Sequence, residues 1–165
     1  MRVGQGTDVH RLETGEELVL GGVTIPFDKG LTGHSDADVL THAVMDAMLG
    51  AVAIGDIGKH FPDSNAAYRD ISSLKLLATT YELVKAENYY LVNLDATIML
   101  ERPRLAPYFP QMRQNLARSL AVTQDQISLK ATTWEKLGFV GEEAGVMAQA
   151  VVLVDNNRKQ EMGIH

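Results

Sequence analysis

Residues 91–100 alternate with a period of two, Leu94, Ala96, Ile98 and Leu100 against Asn93, Asp95, Thr97 and Met99, which predicts a half-buried strand. Shorter apolar stretches predict further strands near residues 2–8, 18–25, 127–133 and 146–154. Over 72–87 the period changes to that of a helix. Leu74, Leu77, Ala78, Tyr81 and Val84 fall on one side, with Lys75, Thr79, Glu82 and Lys85 on the other. A helix over 108–121 places Met112, Leu116 and Leu120 on one stripe. An earlier helix is predicted to begin after Ser35, read as its N-cap with Asp36 and Asp38 in the first turn, and to run to about Ala53. Glycines at 4/6, 21–22, 30/33, 55/58 and 138/141 read as turns. Strands mixed with helices in a short chain without repeats or linkers imply a mixed α/β (α+β) fold. The predicted form is a two-layer sandwich with helices packed on one sheet face, and residues 1–165 form a single domain.

Composition narrows the chemistry. Of 165 residues, 15 are basic and 21 acidic, a net charge of −6 that lacks the electrostatic footprint of a nucleic-acid binder. No cysteine is present, which excludes disulfides, thiolate metal sites and a cysteine nucleophile. No signal-like or membrane-spanning apolar run is visible, so a cytoplasmic location without membrane association is expected.

Two segments carry ligand-type residues. Asp8 and His10, two apart on a predicted strand, project from the same face. Asp38, His42 and Asp46 follow at intervals of four on the first helix, among Val39, Ala43, Val44 and Met45, where ionisable groups are costly unless paired. A buried polar network accounts for such a stripe as well as a metal site does. If the segments meet, Asp8, His10 and His42 offer zinc two nitrogens and an oxygen. The fourth position stays open, as in catalytic rather than structural sites. Asp38 and Asp46 are then candidates for orienting His42 from behind.

Several blocks stand out along the chain. They are Gly4-Gln5-Gly6-Thr7-Asp8-Val9-His10-Arg11, His34-Ser35-Asp36-Ala37-Asp38 with His42-Ala43, and Gly55-Asp56-Ile57-Gly58 with Phe61-Pro62-Asp63. Arg102-Pro103-Arg104-Leu105 follows, then Lys130-Ala131-Thr132-Thr133 with Glu135-Lys136-Leu137-Gly138-Phe139. Together they resemble the 2-C-methyl-D-erythritol 2,4-cyclodiphosphate synthase family and run in its order across nearly the whole chain. The resemblance implies a metal-dependent enzyme of non-mevalonate isoprenoid biosynthesis. It would act on a small cytidine diphosphate-linked substrate and release CMP as an intramolecular phosphate closes a cyclic diphosphate. It also implies a mixed sheet and a homotrimer with active sites at subunit boundaries.

Carried over residue by residue, the resemblance assigns zinc to Asp8, His10 and His42, and a second cation, Mg²⁺ or Mn²⁺, to Glu135. His34 and Thr133 would stabilise the transition state, with Ser35 and Thr132 beside them. Asp56, Ile57 and Gly58 would hold substrate hydroxyls, with Phe61, Pro62 and Asp63 as a mobile lip. Leu100, Pro103, Arg104, Leu105 and Ala106 would form the cytosine pocket, and Phe139 would complete the substrate site. His60, His165, Lys130 and Lys136 read as ordinary surface residues. Two positions depart from the family pattern. Glu142 stands where many members carry an arginine associated with anion binding on the trimer axis, so no prenyl diphosphate is expected there. Trp134 replaces a small hydroxyl residue at the neighbouring-subunit contact. A zinc phosphohydrolase, which delivers water to phosphorus, and a non-catalytic nucleotide-binding module are the rival readings. The first would yield inorganic phosphate, the second no product.

Overall fold

The computed structural model describes residues 1–33, 35–62, 64 and 71–156. Its main sheet has five strands in the order β4-β1-β7-β5-β6. These are β1 (Arg2–Thr14), β4 (Lys29–Thr32), β5 (Tyr90–Met99), β6 (Ile127–Thr132) and β7 (Gly145–Asp155). All neighbours are antiparallel except β5 and β6, so the sheet is mixed. The helices are α1 (Val39–Ala51), α2 (Ile57–His60), α3 (Ser73–Ala86), α4 (Phe109–Leu120) and α5 (Gly138–Gly141). Helix α1 lies on β1 and β7, α3 packs on α1, and α4 packs on α3 and β6.

The core side of the sheet follows the period of two. Leu94, Ala96 and Ile98 on β5 and Val146, Ala148, Ala150, Val152 and Val154 on β7 are buried, while the opposite face leaves Val3, Val9 and Val151 exposed. Burial of this kind contributes about 25 cal/mol per Å² of apolar surface. Helix α1 is buried nearly all round, in keeping with its small and apolar residues.

Several expectations need correction. Strand β1 continues to Thr14 rather than ending near Asp8. The 18–25 strand is a separate hairpin of β2 (Leu18–Leu20) and β3 (Val23–Ile25), turned by Gly21 and Gly22 at φ 55° and 68°. Strand β4 was not foreseen. Helix α1 is capped by Asp38, not Ser35: the Asp38 carboxylate accepts from Thr41 N–H at 3.0 Å, from the Thr41 hydroxyl, and from Gly22 N–H at 2.8 Å. Burial raises the Asp38 pKa despite these bonds. On α3 the buried side is turned toward Ser73, Leu76 and Thr80, with Leu74 only partly covered.

Gly4 and Gly6 are not turn residues. Both sit inside β1 facing α1, where an added Cβ would lie 1.9 Å from the Ala47 carbonyl oxygen at Gly4 and 2.1 Å from that of Ala43 at Gly6. Helix backbone and strand backbone thus touch with no side chain between them. Among the described residues, no helix is long and apolar enough to cross a membrane.

At the far end of the sheet, the exposed Arg102 guanidinium forks onto Glu143, with Nη2 donating to Oε2 at 2.8 Å. This bond, with the Arg102 and Lys29 charges, holds the Glu143 pKa below its ordinary value against the opposing effect of burial. The pair's stabilisation is therefore present above the ordinary glutamate pKa of about 4.3 and is lost as the pH falls through the lower folded value. Glu143→Gln should remove that acid-side component from the pH dependence of urea unfolding. Gly6→Ala should cost about 1–3 kcal/mol or more through overpacking. An unchanged denaturation midpoint in Gly6→Ala would mean that α1 does not rest on β1 in this way.

Candidate metal centre and surrounding pocket

Because Gly4, Gly6, Asp8 and His10 share one face of β1, the contact that seats α1 on the glycines also brings His42, near its N-terminus, over Asp8 and His10. Asp8 Oδ2 lies 2.8 Å from His10 Nε2 and 3.2 Å from His42 Nδ1, and the two ring nitrogens are 3.2 Å apart. The donor atoms fall within 4.8 Å of one another, and the side chains are largely covered, His42 being 10 % exposed. This is a possible metal-binding site.

The His10 ring is fixed from behind. Strand β4 pairs with β1 with Thr32 opposite Arg11, and the Thr32 carbonyl accepts from His10 Nδ1 at 2.9 Å. A carbonyl only accepts, so Nδ1 carries a proton, and Nε2 is the nitrogen that faces Asp8, donating to the carboxylate when the ring is charged and offering its lone pair where a metal replaces that proton. Burial works to lower the His10 pKa, but the Asp8 hydrogen bond and charge outweigh it and the net shift is upward. Burial likewise pushes Asp8 up, and the bonds from His10 and His42 override it, leaving Asp8 far below the usual carboxylate range.

The tripod opens into a cavity of about 310 Å³, with Asp8, His10, Ser35 and His42 on one side and Ile57, Gly58 and Phe61 on the other. Asp56 caps α2 by accepting from Lys59 N–H at 2.9 Å. Pro62 follows as an exposed residue outside the cavity lining. Asp46 does not touch His42. Its Oδ1 accepts from Ile57 N–H at 2.8 Å, tying the far wall to α1, and burial raises its pKa overall. Asp38 does not touch the ring either, being occupied as the helix cap. The groups that do reach His42 Nε2 are Ser73 Oγ at 3.0 Å and Ser35 Oγ at 3.1 Å. Ser73 was not singled out in the sequence. Its only advance signal was a polar residue at the start of an otherwise apolar-faced helix.

The remaining expected residues gather elsewhere. Leu100 N–H donates to the Thr132 carbonyl at 3.1 Å, which joins the segment after β5 to the end of β6. Leu105 is buried, Pro103 half-buried, and Arg104 and Ala106 exposed. Thr132 ends β6, so Thr133 lies beyond the strand; its hydroxyl donates to Glu135 Oε1 at 3.3 Å. Trp134 packs edge-on against Phe139 of its own chain, with centroids 5.3 Å apart. None of these residues lines the tripod cavity. Glu142 is exposed at the end of α5, Lys130 pairs with Asp95, and His60 Nε2 lies 3.1 Å from the Ile54 carbonyl. His34, Asp63 and His165 lie outside the described residues.

A model of the YgbB family matches residues 1–155. The 2-C-methyl-D-erythritol 2,4-cyclodiphosphate synthase of Natranaerobius thermophilus is 60 % identical over 155 residues, covering 94 % of this chain and 98 % of that protein. That of Clostridium kluyveri is 55 % identical over 164 residues, covering 99 % of this chain and 100 % of that protein. A 2C-methyl-D-erythritol-2,4-cyclodiphosphate synthase solved in its CDP-bound form is 39 % identical, with a TM-score of 0.86 over 93 % of this chain and 100 % of that one. Likeness on this scale, over a tripod the sequence alone left ambiguous, settles the assignment: the chain belongs to the YgbB family of 2-C-methyl-D-erythritol 2,4-cyclodiphosphate synthases, lyases of the cyclodiphosphate-forming step in isoprenoid biosynthesis.

Proposed function

We propose that the substrate is 4-diphosphocytidyl-2-C-methyl-D-erythritol 2-phosphate. An oxygen of its 2-phosphate forms a bond to the β-phosphorus. The bond from that phosphorus to the bridging oxygen breaks, the electron pair leaves with CMP, and 2-C-methyl-D-erythritol 2,4-cyclodiphosphate remains. The observation that carries this reading is the convergence of Asp8, His10 and His42 at the mouth of the cavity. Their mutual spacings of 2.8 and 3.2 Å approach the roughly 3.3 Å between donors around tetrahedral zinc. Zinc held there supplies Lewis acidity to a phosphoryl oxygen.

The chain's own groups do the positioning, which matters most where two anionic phosphates must meet. Ser35 contacts the phosphate beside His42, and the backbone of Ile57 and Gly58, with the Asp56 carboxylate, grips the erythritol hydroxyls. Phe61 covers the wall with Pro62 beyond it, and Asp63 adds a substrate contact. His34 and Thr133 stabilise the charge that develops in the transition state, assisted by Thr132. Glu135 holds Mg²⁺ or Mn²⁺, a harder ion suited to carboxylate and phosphate oxygens. Leu100, Pro103, Arg104, Leu105 and Ala106 form the cytosine pocket, with Phe139 near it.

In one chain the tripod cavity and the segments around 100–106 and 132–139 are separate. A homotrimer, in which the second group from one subunit completes the cavity of the next, reconciles them. The sheet face not covered by helices supports this, since Val3, Val9 and Val151 stand 67, 48 and 45 % exposed on it. A cytoplasmic location belongs to the same reading.

Purified protein given the cytidyl substrate with zinc and magnesium should release CMP and a cyclic diphosphate. Inorganic phosphate as the product would favour a hydrolase instead. Chelation should stop turnover, and His42→Ala should lose both stoichiometric zinc and activity. Sedimentation should show a trimer that Val151→Glu, which places a charge on the open sheet face, drives toward monomer.

A further inference from the structure

Helix α3 begins without a cap from its own preceding residue: the Ser72 side chain makes no capping bond. The two donors of Ser73, its first residue, are met by Asp36 from the loop before α1. Its Oδ2 accepts from Ser73 N–H at 2.9 Å, and its Oδ1 accepts from the Ser73 hydroxyl in a shorter bond. A carboxylate at a helix N-terminus satisfies an orphan N–H and complements the helix dipole. The consequence reaches further than the cap. Ser73 is fully buried, and a hydroxyl has one proton; given to Asp36, it leaves only lone pairs for other neighbours. The neighbour at 3.0 Å is His42 Nε2. Ser73 can therefore only accept from the ring, which places a proton on Nε2 and leaves Nδ1, the nitrogen on the side of Asp8 and His10, as the atom that a metal would take.

Ser35 cannot enforce this by itself. Its Oγ, 3.1 Å from Nε2 and 3.3 Å from Ser73 Oγ, accepts from Ala37 N–H at 3.3 Å, and among the described residues no carboxylate fixes its proton. It can donate to Ser73 or turn to serve either form of the ring. Asp36 removes that freedom one bond away.

We propose that Asp36 is a positioning residue that acts through Ser73 on His42, selecting the Nε2–H tautomer and so presenting Nδ1 as the ligand atom. His10 reaches the complementary state by a different route, through the Thr32 carbonyl. The two imidazoles thus present opposite ring nitrogens to one point, each held by an acceptor on its far side. The inference rests on the tripod reading for its purpose, although the tautomer can be measured without any metal.

The test uses the full chain, ¹⁵N-labelled, in mildly alkaline buffer, with long-range ¹H–¹⁵N spectra of the histidines before and after zinc is added. Two variants separate the relay from the cap. Ser73→Ala keeps the backbone N–H that Asp36 caps and removes only the hydroxyl. Asp36→Asn leaves one acceptor oxygen for two donors. In the metal-free wild type, His42 should give the pattern of a ring protonated at Nε2, and both variants should show a mixture with the Nδ1–H form. Zinc affinity should fall about 10- to 100-fold in each, and the double variant should bind no more weakly than the weaker single one. A wild-type His42 protonated on Nδ1, variants that keep a pure Nε2–H pattern, or affinity losses that add in full would each overturn the proposal. A wild type that shows the expected tautomer but fails to bind zinc would instead refute the tripod reading and leave the relay standing.

Discussion

Everything at this site depends on two backbones meeting without side chains between them. Where β1 offers Gly4 and Gly6, α1 offers Ala43, Ala47 and Ala51, and a single methyl group on the strand would collide with a helix carbonyl. Interiors are packed too densely to absorb such a collision by small local shifts. The contact therefore sets the height of α1 above the sheet. Continued two and four residues along the same face of β1, it sets the height of His42 above Asp8 and His10 as well.

Much of this could be read from the chain, and the failures have physical causes. Asp8 and His10 were legible because a period of two puts them on one face, and His42 because an ionisable residue among Val39, Ala43 and Met45 asks for a partner. The same two residues concealed the true length of β1. They are polar on its buried face, so the apolar alternation breaks just where the strand reaches the tripod, although Leu12 resumes it. Strand β4 has four residues with Leu31 as its one large apolar side chain, too little to register as a pattern. What spacing cannot supply is register: nothing in the interval between residues 10 and 32 says that Thr32 lies behind His10.

Caps were misassigned for a related reason. Ser35 and Asp38 are both good N-cap types, and the choice between them is made by tertiary partners. Gly22 N–H, on the β2–β3 turn, reaches Asp38, while Ser35 is drawn to His42 and Ser73. Asp36, read as a first-turn acid of α1, serves the first turn of α3 instead. The acidic segment before α1 is in effect shared among three elements. The blocks at 100–106 and 132–139 were legible only through family likeness, since a loop after a strand has no periodicity to read.

The bond from Ile57 N–H to Asp46 has a consequence for what the cavity can accommodate. Asp46 stands one helical turn from His42, so the helix that carries this histidine also carries the anchor of the opposite wall. The two sides are thus tied to one helix, and parting them to admit a bulkier guest costs that bond, about 1 kcal/mol. Adaptation to a different molecule costs less in residues beyond that anchor, by replacing what the loop bears.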